Sequence, residues 1–197
     1  MELNLSLSGK HALVCGASSG IGEATATLLG ARGARMALGA RRTDRLATLA
    51  DELRTRGAEV VTVGMDVRVA QDVTRLVDAA VEAFGRLDVL VGNAGISSLG
   101  PLADGQVTEW DAMIDVNLRG VLHGIAAAAT VFRQQGHGHF VTTVSTAGLK
   151  IVPDMGVYAA TKNAVRTVME ALRQESTDGA IRVTSISPGF VRAEIDR

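Results

Sequence analysis

The chain has 197 residues, a formal net charge of −1, 47% hydrophobic and 21% charged residues, and only 3% aromatics. That balance leaves no basic footprint for nucleic acid or anionic lipid and too few rings for a base-stacking platform. One cysteine, Cys15, excludes an intrachain disulfide, and with no signal-peptide pattern and no apolar run near the roughly 18 residues of a membrane span, the sequence predicts a cytoplasmic protein with one domain over 1–197.

Short apolar runs alternate with longer stretches of helical period. His11 to Cys15 reads as a buried strand ending at Gly16, and Gly22 to Arg32 as a helix of small residues. Met36 to Ala40 predicts a second strand, followed by a helix from Asp44 to about Arg56 with Leu46, Leu49, Ala50 and Leu53 on one face. Val60 to Met65 is a third strand, and the next helix, Ala70 to Phe84, carries Val73, Leu76, Val77, Ala80 and Val81. Leu87 to Val91 is a fourth strand, Glu109 to Phe132 a long helix, and His139 to Val144 a fifth strand. A helix containing Tyr158 runs to about Ser176, and Ile181 to Ile186 is a sixth strand. The strands are continuous apolar runs, as expected of a parallel sheet covered by helices on both faces. This βαβ alternation predicts a doubly wound α/β fold that binds ligands beyond the carboxyl ends of its strands.

The residues that carry chemistry sit at those ends. In Cys15-Gly16-Ala17-Ser18-Ser19-Gly20-Ile21-Gly22 three glycines let the chain turn tightly and bring backbone N–H groups to a pyrophosphate at a helix N-terminus. The same stretch also reads as a glycine-rich turn without a ligand. After the second strand, where a protein gripping the ribose of NAD places an acidic side chain, this chain has Ala40, Arg41 and Arg42. Paired guanidiniums just ahead of a helix N-terminus oppose its dipole, so an anionic ligand such as a phosphate accounts for them better than a solvated basic turn. Asp66 and Val67 end the third strand, where Asp66 also suits a helix cap.

Tyr158 and Lys162 are four apart, on one face of a helix, and Tyr158 is the only tyrosine. An ammonium beside a phenol favours the phenolate and lowers a pKa that is ordinarily about 10. The Ser145 hydroxyl suits donation to the same substrate oxygen. Asn117 reads as a buried amide on an apolar helix. His11, His123, His137 and His139 share no spacing that makes a metal site, so no metal is expected.

The glycine spacing, Asn93-Ala94-Gly95 after the fourth strand, Ser145 thirteen residues before Tyr158, Tyr158-Ala-Ala-Thr-Lys162, and Pro188-Gly189 after the sixth strand together resemble the short-chain dehydrogenases/reductases, in that family's order and over nearly the whole chain. The resemblance implies a Rossmann-type fold and an NADP(H)-dependent oxidoreductase that moves a hydride between its nicotinamide cofactor and a carbonyl/alcohol substrate. It implies that Tyr158 gives or takes the proton, that Lys162 lowers its pKa and bonds the nicotinamide ribose, and that Ser145 polarises the carbonyl. Asn117 would interrupt its helix and support a proton relay. Cofactor contacts are expected at Gly16, Ser18, Ser19, Gly20, Ile21 and Gly22, at Arg41 and Arg42, and at Asp66 and Val67 along the adenine. Further contacts are expected at Asn93, Ala94 and Gly95, and at Pro188, Gly189 and Val191 along the nicotinamide.

Two departures carry expectations of their own. Cys15 stands where the family has a threonine that ties the glycine turn to the Asn-Ala-Gly loop, so a looser tie is expected. The chain stops at Arg197, so a substrate lid and a last strand are expected to be missing. Ile96 to Leu102, Leu149 to Met155 and Phe190 should line an apolar substrate pocket, with Ser97 and Lys150 as polar contacts. The long helix and the Tyr158 helix imply a homodimer or homotetramer. The alternatives are a non-catalytic NADP(H)-binding regulatory protein, which has no use for the whole Ser-Tyr-Lys-Asn set, and an isomerase or lyase, whose larger substrates call for an extra domain.

Overall fold

The computed structural model describes residues 6–192, and the expectations for the first residues and for the chain's end lie outside them. Six strands are present: β1 (His11–Cys15), β2 (Arg35–Ala40), β3 (Val60–Gly64), β4 (Val89–Gly92), β5 (Gly138–Thr143) and β6 (Ile181–Ile186). Between them run α1 (Gly20–Ala31), α2 (Thr43–Thr55), α3 (Ala70–Phe84), α4 (Val107–Met113), α5 (Gly120–Gln135) and α6 (Gly156–Glu175). All strand pairs are parallel, in the order β3–β2–β1–β4–β5–β6. The order reverses between β1 and β4, where Cys15 pairs with Gly39 on one side and Gly92 on the other. A crevice opens beyond those carboxyl ends. This is the doubly wound Rossmann-type sheet that the alternation predicts.

Successive strand residues point to opposite faces, so each strand feeds two cores. Leu13, Leu90 and Phe140 pack with Val73, Leu76 and Val77 of α3, Phe132 of α5, and Val165 and Met169 of α6. Ala12, Val14, Met36 and Leu38 pack on the other face with Ala26 of α1 and with Leu46, Leu49 and Leu53 of α2. β1 is buried throughout, as a continuous apolar run should be. The edge strands β3 and β6 depart from that reading: their exposure alternates, and Ile186 is 49% exposed, because an edge lacks a neighbour on one side. No helix among the described residues is long and apolar enough to cross a membrane.

The predicted long helix is one continuous rod with a flaw. α4 passes into a π-helical segment, Ile114–Arg119, and then into α5, with helical dihedrals at both junctions. π-bulges insert a residue without ending a helix. Asn117 lies within this one, which is the interruption implied there.

At the opposite edge of the sheet, the strand starts are held by Asp88. Its carboxylate accepts the His11 N–H at 2.9 Å and a bond from His137 Nε2 at 2.9 Å, with Arg86 Nε at 3.3 Å. Its carbonyl accepts the His139 N–H at 3.0 Å. Burial pushes the Asp88 carboxyl up, but the His11 and His137 bonds and the Arg86 charge hold it below the usual carboxylate range.

Candidate active site

The turn from β1 into α1 lies directly on the loop after β4. Gly16 has φ 74°, and a Cβ there would fall 2.8 Å from Ala94 Cα. A Cβ on Gly22 would fall 2.1 Å from the Gly16 carbonyl oxygen, so only glycine allows α1 to start so close to its own approach. Ser19, the N-cap of α1, makes no capping bond with its side chain. The first-turn N–H groups therefore keep the anion-binding character of an uncapped helix start. Asn93 Nδ2 donates to the Gly16 carbonyl at 3.4 Å. The Cys15 thiol is buried and pushed up to about 12 by desolvation, so it behaves as a small apolar group.

At the end of β2, Arg42 reaches back over the turn. Its Nη2 donates to Ser19 Oγ at 2.6 Å and its Nε to Ser18 Oγ at 3.3 Å. Arg41 is exposed beside it. Asp66 lies across from them, but Arg68 clamps its carboxylate through Nε at 3.0 and 2.9 Å and through the Arg68 N–H at 3.0 Å. The Arg68 bonds hold the Asp66 carboxyl low against the opposing effect of burial, with Arg41 adding to the pull. The helix-cap reading of Asp66 is corrected: the N-cap of α3 is Val69.

β5 and α6 bring in the remaining groups. Ser145 Oγ accepts the Ala147 N–H at 3.1 Å, which leaves its own O–H to donate. Lys162 Nζ donates to the Thr143 carbonyl at 3.0 Å and lies 5.8 Å from the centre of the Tyr158 ring. Lys162 is 4% exposed, and burial brings its ammonium down from 10.5 to about 8. Tyr158 differs from expectation: burial raises its pKa, opposed by a hydrogen bond from Ser145, and Lys162 does not lower it here. The ammonium is turned to the Thr143 carbonyl, and a buried phenol resists ionising. Asn117, 1% exposed, accepts the Ile96 N–H at 2.8 Å and donates to the Ile96 carbonyl at 2.9 Å and to Thr161 Oγ1 at 3.1 Å. Thr161 in turn donates to the Tyr158 carbonyl at 2.7 Å.

These groups border one cleft of about 950 Å³ at the carboxyl edge of the sheet. Gly16, Ser18, Ser19 and Ile21 line it with Arg41, Arg42, Asp66 and Val67; Asn93, Ala94 and Gly95 form its floor. Ser145, Tyr158 and Lys162 line the far end with Pro188, Gly189 and Val191. Gly20, Gly22 and Asn117 are not among the residues that line the cleft. Two contributors were not singled out from the sequence. Thr161 is inside the Tyr-Ala-Ala-Thr-Lys motif, and Thr143 lies two residues before Ser145 at the strand's carboxyl end, a position that is itself a signal.

The short chain dehydrogenase family matches residues 10–197. An uncharacterized oxidoreductase of Listeria innocua is 42% identical over 193 residues, covering 97% of this chain and 78% of that protein. Glycine betaine reductase of Emericella nidulans is 44% identical over 189 residues, which are 96% of this chain but only 15% of that protein. A short chain dehydrogenase/reductase from Burkholderia phymatum, solved in complex with NAD, superposes with a TM-score of 0.93 at 36% identity over 97% of this chain and 69% of that one. An alcohol dehydrogenase from the archaeon Thermococcus sibiricus, complexed with 5-hydroxy-NADP, gives a TM-score of 0.87 at 37% identity over 92% of this chain and 77% of that one. The chain belongs to the short-chain dehydrogenase family of oxidoreductases.

Proposed function

We propose that the chain is an NADP(H)-dependent oxidoreductase acting on a carbonyl/alcohol pair, with Tyr158 as its general acid and base. The observation that carries this reading is a buried lysine beside the only tyrosine, in the same cleft as the glycine turn and the two arginines. The residues fit a dinucleotide from end to end. Arg41 and Arg42 suit the phosphate that distinguishes NADP from NAD, and the uncapped start of α1 suits the pyrophosphate. Val67 and Asp66, which line the same cleft, would border the adenine. At the other end Pro188, Gly189 and Val191 line the cleft and would border the nicotinamide, and among the described residues a Cβ added to Gly189 would touch nothing within 4 Å.

When bound, the nicotinamide supplies or accepts the hydride. In the reducing direction the Tyr158 O–H donates its proton to the carbonyl oxygen as negative charge develops there. The Ser145 O–H, turned to Tyr158 in this structure, would donate to the same oxygen and hold it. The Lys162 ammonium would stabilise the phenolate left behind by turning from the Thr143 carbonyl toward the ring. Asn117 holds the Ile96 backbone and Thr161, and through Thr161 the start of α6, so phenol and ammonium keep their relation. A regulatory protein has no use for this arrangement, because a buried ammonium costs stability and contributes nothing to cofactor binding at the arginine end.

The substrate half of the cleft is lined by Leu99, Val152, Met155 and Phe190, with Ser97 and Lys150 as its polar side chains. A mid-sized apolar aldehyde, ketone or alcohol suits it. Calorimetric titration with NADPH and, separately, NADH tests the cofactor. Binding of NADPH at least tenfold tighter, about 1.4 kcal/mol, is expected. Equal or tighter NADH binding overturns the assignment of Arg41 and Arg42.

A further inference from the structure

We infer that Thr143 is a positioning residue that carries the hold of the glycine turn to Lys162; this rests on the role proposed above for Lys162. The backbone ladder between β4 and β5 ends at Gly92–Thr142. Beyond it β5 stays tied to β6, through Thr143 opposite Ile186 and the Val144 N–H on the Ile186 carbonyl at 2.8 Å. On the β4 side the next link is made by side chains: Thr143 Oγ1 donates to Asn93 Oδ1 at 3.1 Å. The carbonyl of the same residue is the acceptor for Lys162 Nζ at 3.0 Å. Thr143 thus faces the cofactor loop with its hydroxyl and the ammonium with its backbone.

Asn93 needs that hold. Its other bond, to the Gly16 carbonyl, is 3.4 Å long, and Cys15 has no hydroxyl to draw the turn closer. Thr143 fixes the amide from the opposite side, which also sets which end of the amide faces Gly16. The loop runs close to the lysine: a Cβ built on Gly95 would lie 3.3 Å from Lys162 Nζ. When Asn93 turns, Asn93–Gly95 shifts against both the cofactor side and the ammonium. A displacement of about 1 Å at a reacting centre is costly in turnover.

The test is Thr143→Val, which keeps the shape and the strand propensity but removes the donor, with Thr143→Ser as the conservative variant. Turnover is followed by NADPH oxidation with para-nitrobenzaldehyde, an α-diketone and a cyclic ketone as probes, beside NADPH affinity and melting temperature. Thr143→Val is expected to lower kcat about tenfold with NADPH affinity changed less than about threefold, and Thr143→Ser to restore kcat. The inference is overturned by wild-type kcat in Thr143→Val, by a loss that Thr143→Ser does not restore, or by parallel losses of kcat, NADPH affinity and melting temperature. Lys162→Met in the same assay separates the two levels. If Lys162→Met is inactive while Thr143→Val turns over normally, only the role of Thr143 falls. If Lys162→Met turns over like wild type, or wild type reduces none of the probes, the role of Lys162 falls and that of Thr143 with it.

Discussion

Replacing Lys162 with methionine should make the protein more stable while removing its activity. The ammonium is 4% exposed, and its pKa falls from 10.5 to about 8 on burial, so folding strains the protonated form. At about 1.4 kcal/mol for each tenfold change, that fall corresponds to ~3 kcal/mol against folding at pH 7. Methionine keeps most of the volume but leaves the Thr143 carbonyl without its donor, which returns about 1–3 kcal/mol. The net expectation at pH 7 is a gain of ~0–2 kcal/mol, or a melting temperature higher by up to roughly 8 °C in a chain of this size. The sign with pH follows from proton counts. Between about pH 8 and 10.5 the unfolded chain holds the lysine proton and the folded one does not, so wild-type stability climbs with pH while that of Lys162→Met stays level with respect to this group. Thermal melts of both proteins from pH 7 to 10, without cofactor, should show the gap closing above pH 8. A variant less stable than wild type at pH 7, or a gap that does not change with pH, refutes the reasoning.

Tyr158→Phe should lower kcat by roughly 10²–10⁴-fold, because the group that transfers the proton to the carbonyl is lost, with NADPH affinity within a few-fold by titration. In the oxidising direction the raised Tyr158 pKa predicts a rate that climbs with pH as the phenolate forms, measured as the pH profile of alcohol oxidation at saturating NADP. Arg42→Ala should weaken NADPH more than NADH, by about tenfold in the ratio of the two affinities. It frees the Ser18 and Ser19 hydroxyls at the same time, and equal losses for both cofactors would show a structural arginine. Native protein should resist iodoacetamide at pH 8 as long as it stays folded, since Cys15 is buried and pushed up to about 12; labelling at the rate of a free thiol would contradict that.

Patterns local in the chain were legible; arrangements made by distant partners were not. β1, α3 and β6 run over His11–Cys15, Ala70–Phe84 and Ile181–Ile186 as their hydrophobic periods predict. β4 starts two residues later than read, because Leu87 uses its N–H and carbonyl on the Gln135 side chain and Asp88 serves the strand starts. The π-bulge is a change of hydrogen-bond register inside a helix that continues on both sides, which the apolar pattern did not reveal. Only the resemblance at Asn117 implied it. Spacing put Tyr158 and Lys162 on one helical face, but the direction of the Tyr158 shift depends on burial and on where Nζ points, neither of which spacing describes. Thr143 escaped notice because its hydroxyl finds a partner fifty positions away, at Asn93.

The Asp88 cluster and the cleft lie at opposite ends of the same strands, and that separation bears on how such a chain tolerates change. A carboxyl held below its usual range contributes stability that is lost as pH falls through it, so acid loosens the frame at the strand starts while the reacting groups still stand in place. Conversely, residues around the cleft can be exchanged without disturbing the polar ties that align β1, β4 and β5. Retuning the cofactor choice proposed for Arg41 and Arg42, or the substrate lining proposed along Leu99, Lys150 and Phe190, would draw on one end of the molecule alone. A scaffold divided in this way lets specificity drift while the fold stands still.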